Sequence, residues 1–128
     1  MAKVLMIEDD ADIRGLYIEG LRQQHKDIEI FAANSAQAAL DALDEIEPDV
    51  VILDIMLPAH NGVTVMYEMQ SYGDWSNIPI IVFSSIRKKD LFTNEQLLAK
   101  LNVVEYCYKP TTPPSKLAEA VGRVVGVK

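Results

Sequence analysis

Short apolar runs alternate along this chain with longer segments in which apolar residues recur at helical spacing. The most apolar run, Val50–Leu53, contains only valine, isoleucine and leucine, so both faces of such a strand must be covered. Alternation of these runs with helical segments is typical of βα units around a parallel sheet. We therefore predict an α/β fold in which Val50–Leu53 is the central strand.

Five such units follow one another without a linker, a repeat or a low-complexity tract. Strands are predicted at residues 4–7, 28–32, 50–53, 79–83 and 103–108. The second strand is interrupted by a glutamate and is predicted to lie at an edge of the sheet. Asn34 and Gln37 resemble a capping box that opens the second helix, and Thr112 before Pro113 resembles an N-cap that opens the fifth.

Size and charge exclude several classes of protein. With 128 residues the chain is long enough for one hydrophobic core and short for two domains. It carries 12 Lys and Arg against 19 Asp and Glu, a net charge of −7, so direct nucleic-acid binding is not expected. The single cysteine, Cys107, excludes an internal disulfide and suits the reducing cytoplasm. The sequence has no signal peptide and no apolar run long enough for a membrane span, so no membrane association is expected.

Acidic residues stand immediately after two of the predicted strands. Glu8, Asp9 and Asp10 follow the first strand, and Asp54 follows the third. Ligands of open parallel sheets bind outside the carboxyl ends of the strands. Each acid alone is consistent with a solvated loop charge or a helix cap, but converging carboxylates repel one another unless a cation intervenes. Hard oxygen donors suit Mg²⁺, so we predict a divalent-metal site at this edge.

Three further roles can be assigned from position. The carboxylate of Asp54 comes directly off an apolar strand, and it can be a metal ligand, a general base or a nucleophile that forms an aspartyl phosphate. Mg²⁺ favours the nucleophile. Lys109, after the fifth strand, is placed to pair with a carboxylate before reaction and a phosphoryl oxygen after it. Ser84, ending the fourth strand, offers a hydroxyl. Taken alone, Lys109 would more often be a surface lysine and Ser84 a strand-end cap, but the place of Lys109 after a strand and before Pro110 favours the functional role.

Four segments together resemble response-regulator receiver domains. They are residues 4–10 (VLMIEDD), 54–58 (DIMLP) with Gly62, 81–85 (IVFSS) and 106–110 (YCYKP). The resemblance spans the chain in the family's order and is to the single-domain type similar to the chemotaxis response regulator. It implies a flavodoxin-like, doubly wound, five-stranded parallel sheet in the order 2-1-3-4-5 with five helices, forming one receiver domain over residues 1–128.

The resemblance also implies a metal site and a phosphoacceptor. Asp54 accepts the phosphoryl group. Mg²⁺, for which Mn²⁺ can substitute, is bound by Asp9, by Asp54 and by the main-chain carbonyl of Met56, and Glu8 acts through metal-bound water.

A switch and its partners are implied in the same way. Ser84 and Lys109 hold the phosphoryl oxygens, and Tyr106 turns inward to remodel the surface of the fourth helix, fifth strand and fifth helix. The implied donor is a histidine kinase or a histidine phosphotransfer protein, and the implied readout is a downstream protein target or a dimer that forms on phosphorylation. The chain is then a signalling switch and not an enzyme in the ordinary sense: it catalyses only its own phosphorylation and its own slow dephosphorylation. The alternative interpretation of Tyr106 is a half-buried strand tyrosine whose hydroxyl is hydrogen-bonded to the backbone.

The chain departs from the family pattern at several positions. Thr111 stands where phenylalanine is common, Asn102 stands where glycine is usual, and Ser84 replaces the more frequent threonine. By resemblance the Lys109–Pro110 peptide bond is cis.

Two apolar side chains are expected to tune the lifetime of the phosphoryl group. Met56 lies two residues past Asp54, and Ile86 lies two residues past Ser84. Neither can orient a hydrolytic water, so we predict a persistent phosphoryl state. No function is assigned to His25 and His60, expected at the surface, nor to the core residue Cys107 or Trp75, a loop aromatic expected to pack on the sheet edge.

Three other functions fit the sequence less well. A phosphohydrolase with an aspartate nucleophile needs a general acid two residues on, where Met56 stands. A nucleotide or flavin binder needs a glycine- or hydroxyl-rich loop after the first strand, where this chain has acids. A receiver that is never phosphorylated is expected to have lost Asp9, Asp54 or Lys109. The short chain favours a regulator that works through protein contact.

Overall fold

The five predicted strands form one parallel sheet. A computed structural model describes residues 1–58, 61–92 and 95–126, and in it the strand order is β2-β1-β3-β4-β5. The predicted fold class, the central position of Val50–Leu53 and the edge position of the second strand are confirmed. The strands are β1 (Lys3–Ile7), β2 (Glu29–Ala33), β3 (Val50–Leu53), β4 (Ile80–Ser84) and β5 (Val103–Tyr108).

Helices connect the strands and close the chain. They are α1 (Ala11–Gln24), α2 (Ala36–Ile46), α3 (Gly62–Ser71), α4 (Lys88–Leu91), α5 (Glu95–Lys100) and α6 (Pro114–Val125). Five helices were predicted, whereas the described residues contain six because two short helices stand between β4 and β5. At Phe92 the backbone is extended, with φ −118° and ψ 125°, and the side chain is buried in the core. This tertiary contact ends α4 before a full helix can form.

Apolar residues of β1 and its neighbours alternate between two cores, one on each face of the sheet. Leu5 and Ile7 pack with α2, α3 and the residues around α5. Val4 and Met6 pack with α1 and α6. Both faces of the central strands are therefore covered, as their continuous apolar sequence requires.

Two helix caps differ from the predicted ones. The N-cap of α2 is Ser35, whose hydroxyl accepts a 3.1 Å hydrogen bond from the amide of Ala38, so the cap predicted at Asn34 is one residue early. At α6 the N-cap is Pro113, which makes no side-chain cap. The Thr112 hydroxyl instead donates to the carbonyl of Tyr108 at 2.7 Å, because Thr112 closes a short 3₁₀ turn before the helix.

Asn102 explains how the chain replaces the glycine that is usual before the fifth strand. Its φ is +59°, in the left-handed region that glycine favours and that asparagine tolerates better than most residues. Its carbonyl then accepts a 2.9 Å hydrogen bond from the amide of Ile80. Asparagine therefore preserves the turn that leads into β5.

The residues to which no function was assigned have different surroundings in the structure. Cys107 is buried, as predicted. His25 was expected at the surface but is buried, with Nε2 2.7 Å from the carbonyl oxygen of Ala118, because α6 packs across the end of α1. Trp75 packs against the core that contains α2 and α3. His60 lies outside the described residues.

Burial of Cys107 predicts a pH-dependent stability. Burial, with a smaller contribution from Glu105, raises the pKa of the thiol from 9.0 to about 11. Above pH 9 the unfolded chain releases this proton while the folded chain retains it. The free energy of unfolding therefore decreases as the pH rises towards 11, by about 1.4 kcal/mol for each pH unit. Urea titrations across this range should give a steeper decrease for the wild type than for Cys107→Ala. Equal slopes would contradict the prediction.

Among residues 1–58, 61–92 and 95–126, none of the helices has the length and apolar character that a membrane crossing requires.

Candidate functional site

Strand register brings the predicted residues to one edge of the sheet. Ile7 of β1 is paired with Leu53 of β3, so the next residues, Glu8 and Asp54, emerge side by side. At the other side of the sheet the register of β4 and β5 places Ser84 opposite Tyr108. Lys109, the residue after Tyr108, therefore leaves the sheet at the same edge.

The carboxylate of Asp54 is buried and held on both oxygens. Only 2% of the residue is exposed. Oδ1 accepts a 3.0 Å hydrogen bond from the main-chain amide of Met56, and Oδ2 lies 3.0 Å from Nζ of Lys109. The Met56 side chain is 57% exposed, so solvent borders the site on that side. Asp54 is thus fixed in orientation at the rim of the sheet.

Glu8 is buried more deeply than a free carboxylate tolerates. It is 1% exposed, and Oε1 lies 2.6 Å from Nζ of Lys109, while Oε2 accepts a 3.1 Å bond from the amide of Asp10. Burial raises the pKa of Glu8 to about 7, and the neighbouring Asp54 carboxylate adds to this, although Lys109 opposes it. Additional positive charge near these carboxylates would stabilise the ionised form.

The acidic residues fit the predicted metal site. Glu8, Asp9 and Asp54 each offer a carboxylate oxygen, and these oxygens lie within 4.8 Å of one another. Oε1 of Glu8 is buried and, within the described residues, makes no hydrogen bond beyond its ionic contact with Lys109. Three hard oxygen donors, one of them exposed, suit Mg²⁺, which keeps several waters. Asp10 is used differently, because its carboxylate caps α1 through the amides of residues 12 and 13.

Lys109 joins the two buried carboxylates. Burial alone would lower the pKa of Lys109, but the hydrogen bonds and charges of Glu8 and Asp54 outweigh it and raise the pKa. The ammonium is therefore charged at neutral pH and compensates one of the two negative charges. The Lys109–Pro110 bond is not cis, so that expectation is wrong: the short 3₁₀ turn over Lys109–Thr111 forms with the ordinary trans bond.

Gly62 is required by the close approach of α3 to the Asp54 backbone. A Cβ at residue 62 would lie 2.5 Å from the carbonyl oxygen of Asp54 and 2.9 Å from Cα of Ile55. The amide of Gly62 also donates to the carbonyl of Ile55 at 2.7 Å. The resemblance included this glycine, and the structure supplies its physical reason.

A backbone link connects the hydroxyls of Ser84 and Tyr106. The amide of Ile86 donates to Oγ of Ser84 at 3.1 Å, and the carbonyl of Ile86 accepts from the Tyr106 hydroxyl at 2.5 Å. The Tyr106 ring is half-buried and packs edge-on against Phe92. Ser84 is fully buried and makes no hydrogen bond to Asp54 or Lys109, so the structure brings it to the site edge without joining it to the charged cluster.

Two residues of α1 contribute to the site but were not identified from the sequence. Nη1 of Arg14 donates to the carbonyl of Glu8 at 2.7 Å, which anchors the loop that carries the acids. The hydroxyl of Tyr17 donates to the carbonyl of Thr112 at 2.6 Å. A tyrosine on a buried helical stripe needs a partner for its hydroxyl, and this was the one signal in the sequence that could have pointed to Tyr17.

Comparisons with known proteins agree with this geometry. A family model described as the response regulator receiver domain matches residues 4–122. A probable cyclic di-GMP phosphodiesterase of Vibrio cholerae is 30% identical over 111 residues, which are 87% of this chain and 24% of that protein. A protein-glutamate methylesterase/protein-glutamine glutaminase of Clostridium acetobutylicum is 34% identical over 112 residues, 87% of this chain and 31% of that protein. The chain thus spans about a quarter to a third of these two curated relatives.

A solved structure shares the fold over nearly the whole chain. The chemotaxis response regulator CheY4 of Vibrio cholerae has a TM-score of 0.81 at 22% identity, and the match covers 97% of this chain and 98% of that one. The order and orientation of the five strands are therefore those of a known fold.

Proposed function

The chain belongs to the response regulator receiver domain family, and on that premise we propose that it is a phosphorylation-controlled switch of a two-component or phosphorelay system. The observation that carries the proposal is the ammonium of Lys109, which lies 2.6 Å from Glu8 and 3.0 Å from Asp54 at the carboxyl edge of the sheet. Such a cluster provides a nucleophile and a cation for a phosphoryl oxygen in one place.

Asp54 is the proposed phosphoacceptor. An oxygen of its carboxylate attacks the phosphorus of a phosphohistidine, an O–P bond forms, the P–N bond breaks, and its electron pair remains on the departing imidazole. Mg²⁺, or Mn²⁺ in its place, would be held by Asp9, Asp54 and the Met56 carbonyl, with Glu8 acting through water. When bound, the metal supplies charge that offsets the carboxylates and the incoming phosphoryl group. Lys109 then exchanges its carboxylate contact for a phosphoryl oxygen.

The link through Ile86 supports the proposed switch. If the Ser84 hydroxyl turns to a phosphoryl oxygen, the amide of Ile86 loses its acceptor. The same residue's carbonyl holds the Tyr106 hydroxyl, so the loop and the ring are expected to move together. The surface formed by α4, α5, β5 and α6 changes as a result, and with it the affinity for a protein partner.

Receiver domains interact with histidine kinases and downstream effectors, and we propose both kinds of partner here, including a dimer that forms on phosphorylation. One receiver domain over residues 1–128, without an activity beyond transfer of its own phosphoryl group, is part of the same proposal. The setting proposed is the cytoplasm, which suits the buried free thiol of Cys107.

Two apolar side chains predict a slow loss of the phosphoryl group. Met56 is exposed and Ile86 is half-buried, and neither can bind a water for attack on phosphorus. We expect Met56→Asn and Ile86→Asn each to shorten the phosphoryl half-life several-fold, because an amide can orient that water. The measurement is the decay of phosphorylated protein after removal of the donor. Unchanged half-lives in both variants would contradict the prediction.

Incubation with acetyl phosphate tests the proposed function. The wild type should gain one phosphoryl group by intact mass only when Mg²⁺ is present, and Asp54→Asn should gain none. A matched control is Asp49→Asn, which removes an exposed carboxylate just before β3, at the amino ends of the strands and away from the site. If the wild type gains no phosphoryl group from acetyl phosphate or from a cognate histidine kinase, the protein is a binding module and the proposal fails.

A further inference from the structure

We propose that Tyr17, on α1, is a positioning residue for Lys109. It acts along two routes, through the ring of Phe83 beneath the ammonium and through the turn that ends at Thr112. The inference rests on the proposed function, because the position of Lys109 matters to phosphoryl transfer only if Asp54 accepts phosphoryl.

The first route is a stack of two rings under the ammonium. The rings of Tyr17 and Phe83 have centroids 4.6 Å apart and planes inclined by 52°. Nζ of Lys109 lies 5.2 Å from the centroid of the Phe83 ring, within the range of a cation–π contact. Phe83 is 1% exposed, so its ring has little freedom. Tyr17 therefore fixes the surface on which the ammonium rests.

The second route is a set of hydrogen bonds around the β5–α6 turn. The Tyr17 hydroxyl donates to the carbonyl of Thr112 at 2.6 Å. The amide of Thr112 donates to the carbonyl of Lys109 at 3.1 Å, and the Thr112 hydroxyl donates to Tyr108 at 2.7 Å. The turn that begins at Lys109 is thus closed on itself and attached to α1 at its far end.

Neighbouring residues of the turn do not supply the same attachment. Thr111 is exposed, and its hydroxyl reaches back to the carbonyl of Tyr108. Contact between α1 and α6 is provided separately, because Gly20 lies against Pro114 so closely that a Cβ would be 2.7 Å from the proline Cβ. The hydroxyl of Tyr17 is therefore not needed to pack the two helices. Its bond to Thr112 is available to hold the backbone of Lys109.

Charge agrees with the geometry. Burial raises the pKa of Tyr17, and the positive charge of Lys109 opposes that increase. The charge of Lys109 therefore acts on the phenol of Tyr17, in agreement with these contacts.

Two substitutions separate the routes. Tyr17→Phe keeps the ring contact and removes the hydrogen bond to Thr112, whereas Tyr17→Leu removes both. Tyr67→Phe is the matched control, because Tyr67 is 51% exposed on α3. All variants are compared well below the temperature at which any of them unfolds, so that global unfolding does not contribute.

The first measurement is the ¹H–¹⁵N signal of the Lys109 ammonium in the unphosphorylated protein, assigned through its loss in Lys109→Arg. Two carboxylate contacts should slow the hydrogen exchange of this group in the wild type and in Tyr67→Phe. Exchange should be several-fold faster in Tyr17→Phe and faster still in Tyr17→Leu. A Lys109 signal with the same shift and exchange rate in Tyr17→Phe as in the wild type would overturn the proposal.

The second measurement is a double-mutant cycle on the rate of Mg²⁺-dependent phosphorylation by acetyl phosphate. We expect Tyr17→Phe to slow the wild type about three- to tenfold, the size expected for one hydrogen bond, and to have little further effect in Lys109→Arg. The same factor in both backgrounds would show that Tyr17 acts independently of Lys109. If the wild type is not phosphorylated, the proposed function fails, and the ammonium signal still decides the role of Tyr17.

Discussion

Lys109→Met is expected to lower the free energy of unfolding by roughly 3 kcal/mol in the absence of divalent cations. The substitution removes the ammonium between Glu8 and Asp54, which are 1% and 2% exposed. Two carboxylates then face each other in a site that excludes most water, and methionine keeps nearly the same side-chain length. Urea denaturation of the wild type and the variant measures the difference.

Mg²⁺ should recover part of this loss, because a divalent cation held by Asp9, Asp54 and the Met56 carbonyl, with Glu8 acting through water, would replace the missing charge. Lys116→Met is the control, since Lys116 is exposed on α6 and should change stability by no more than about 0.5 kcal/mol. A Lys109→Met variant as stable as that control would show that the buried carboxylates are compensated in another way.

Gly62→Ala is expected to impair both folding and phosphorylation. The added Cβ would lie 2.5 Å from the carbonyl oxygen of Asp54. This oxygen and the other atoms nearest to the Cβ belong to the backbone, so they cannot rotate away. We expect a loss of roughly 1–3 kcal/mol of stability. The displaced Asp54 should also be phosphorylated more slowly by acetyl phosphate, even under conditions where the variant is fully folded.

Gly73→Ala is the matched control for that substitution. Gly73 is exposed, and a Cβ there would meet nothing within 4 Å, so the variant should fold and be phosphorylated like the wild type. Equal behaviour of the two alanine variants would contradict the role given to Gly62.

The strands were predictable because their signal is local. β3 and β5 have the predicted bounds, and the other strands begin and end within one residue of the prediction. One helix was predicted between β4 and β5, whereas the described residues form two short ones there, because Phe92 leaves the helix to reach a core formed by distant residues. His25 was expected at the surface for the same reason, since its burial depends on Ala118, 93 positions away.

The site, too, contains residues that the sequence could identify and residues that it could not. The acids and Lys109 could be found because each follows a strand, and parallel strands end at one edge. Tyr17 could not be found in this way, because its partner Thr112 is 95 positions away and the bond depends on how α1 packs against the turn. The wrong cap at Asn34 is a smaller error, since Ser35 offers the same chemistry one residue later.

Identification of the phosphorylated residue tests the central claim most directly. Protein treated with acetyl phosphate and Mg²⁺ is reduced with borohydride, which converts an aspartyl phosphate to homoserine, and is then sequenced by tandem mass spectrometry. The account predicts homoserine at position 54 alone, and only in samples that contained Mg²⁺. Modification at Asp9 or Glu8 instead, or modification that does not depend on the metal, would contradict it.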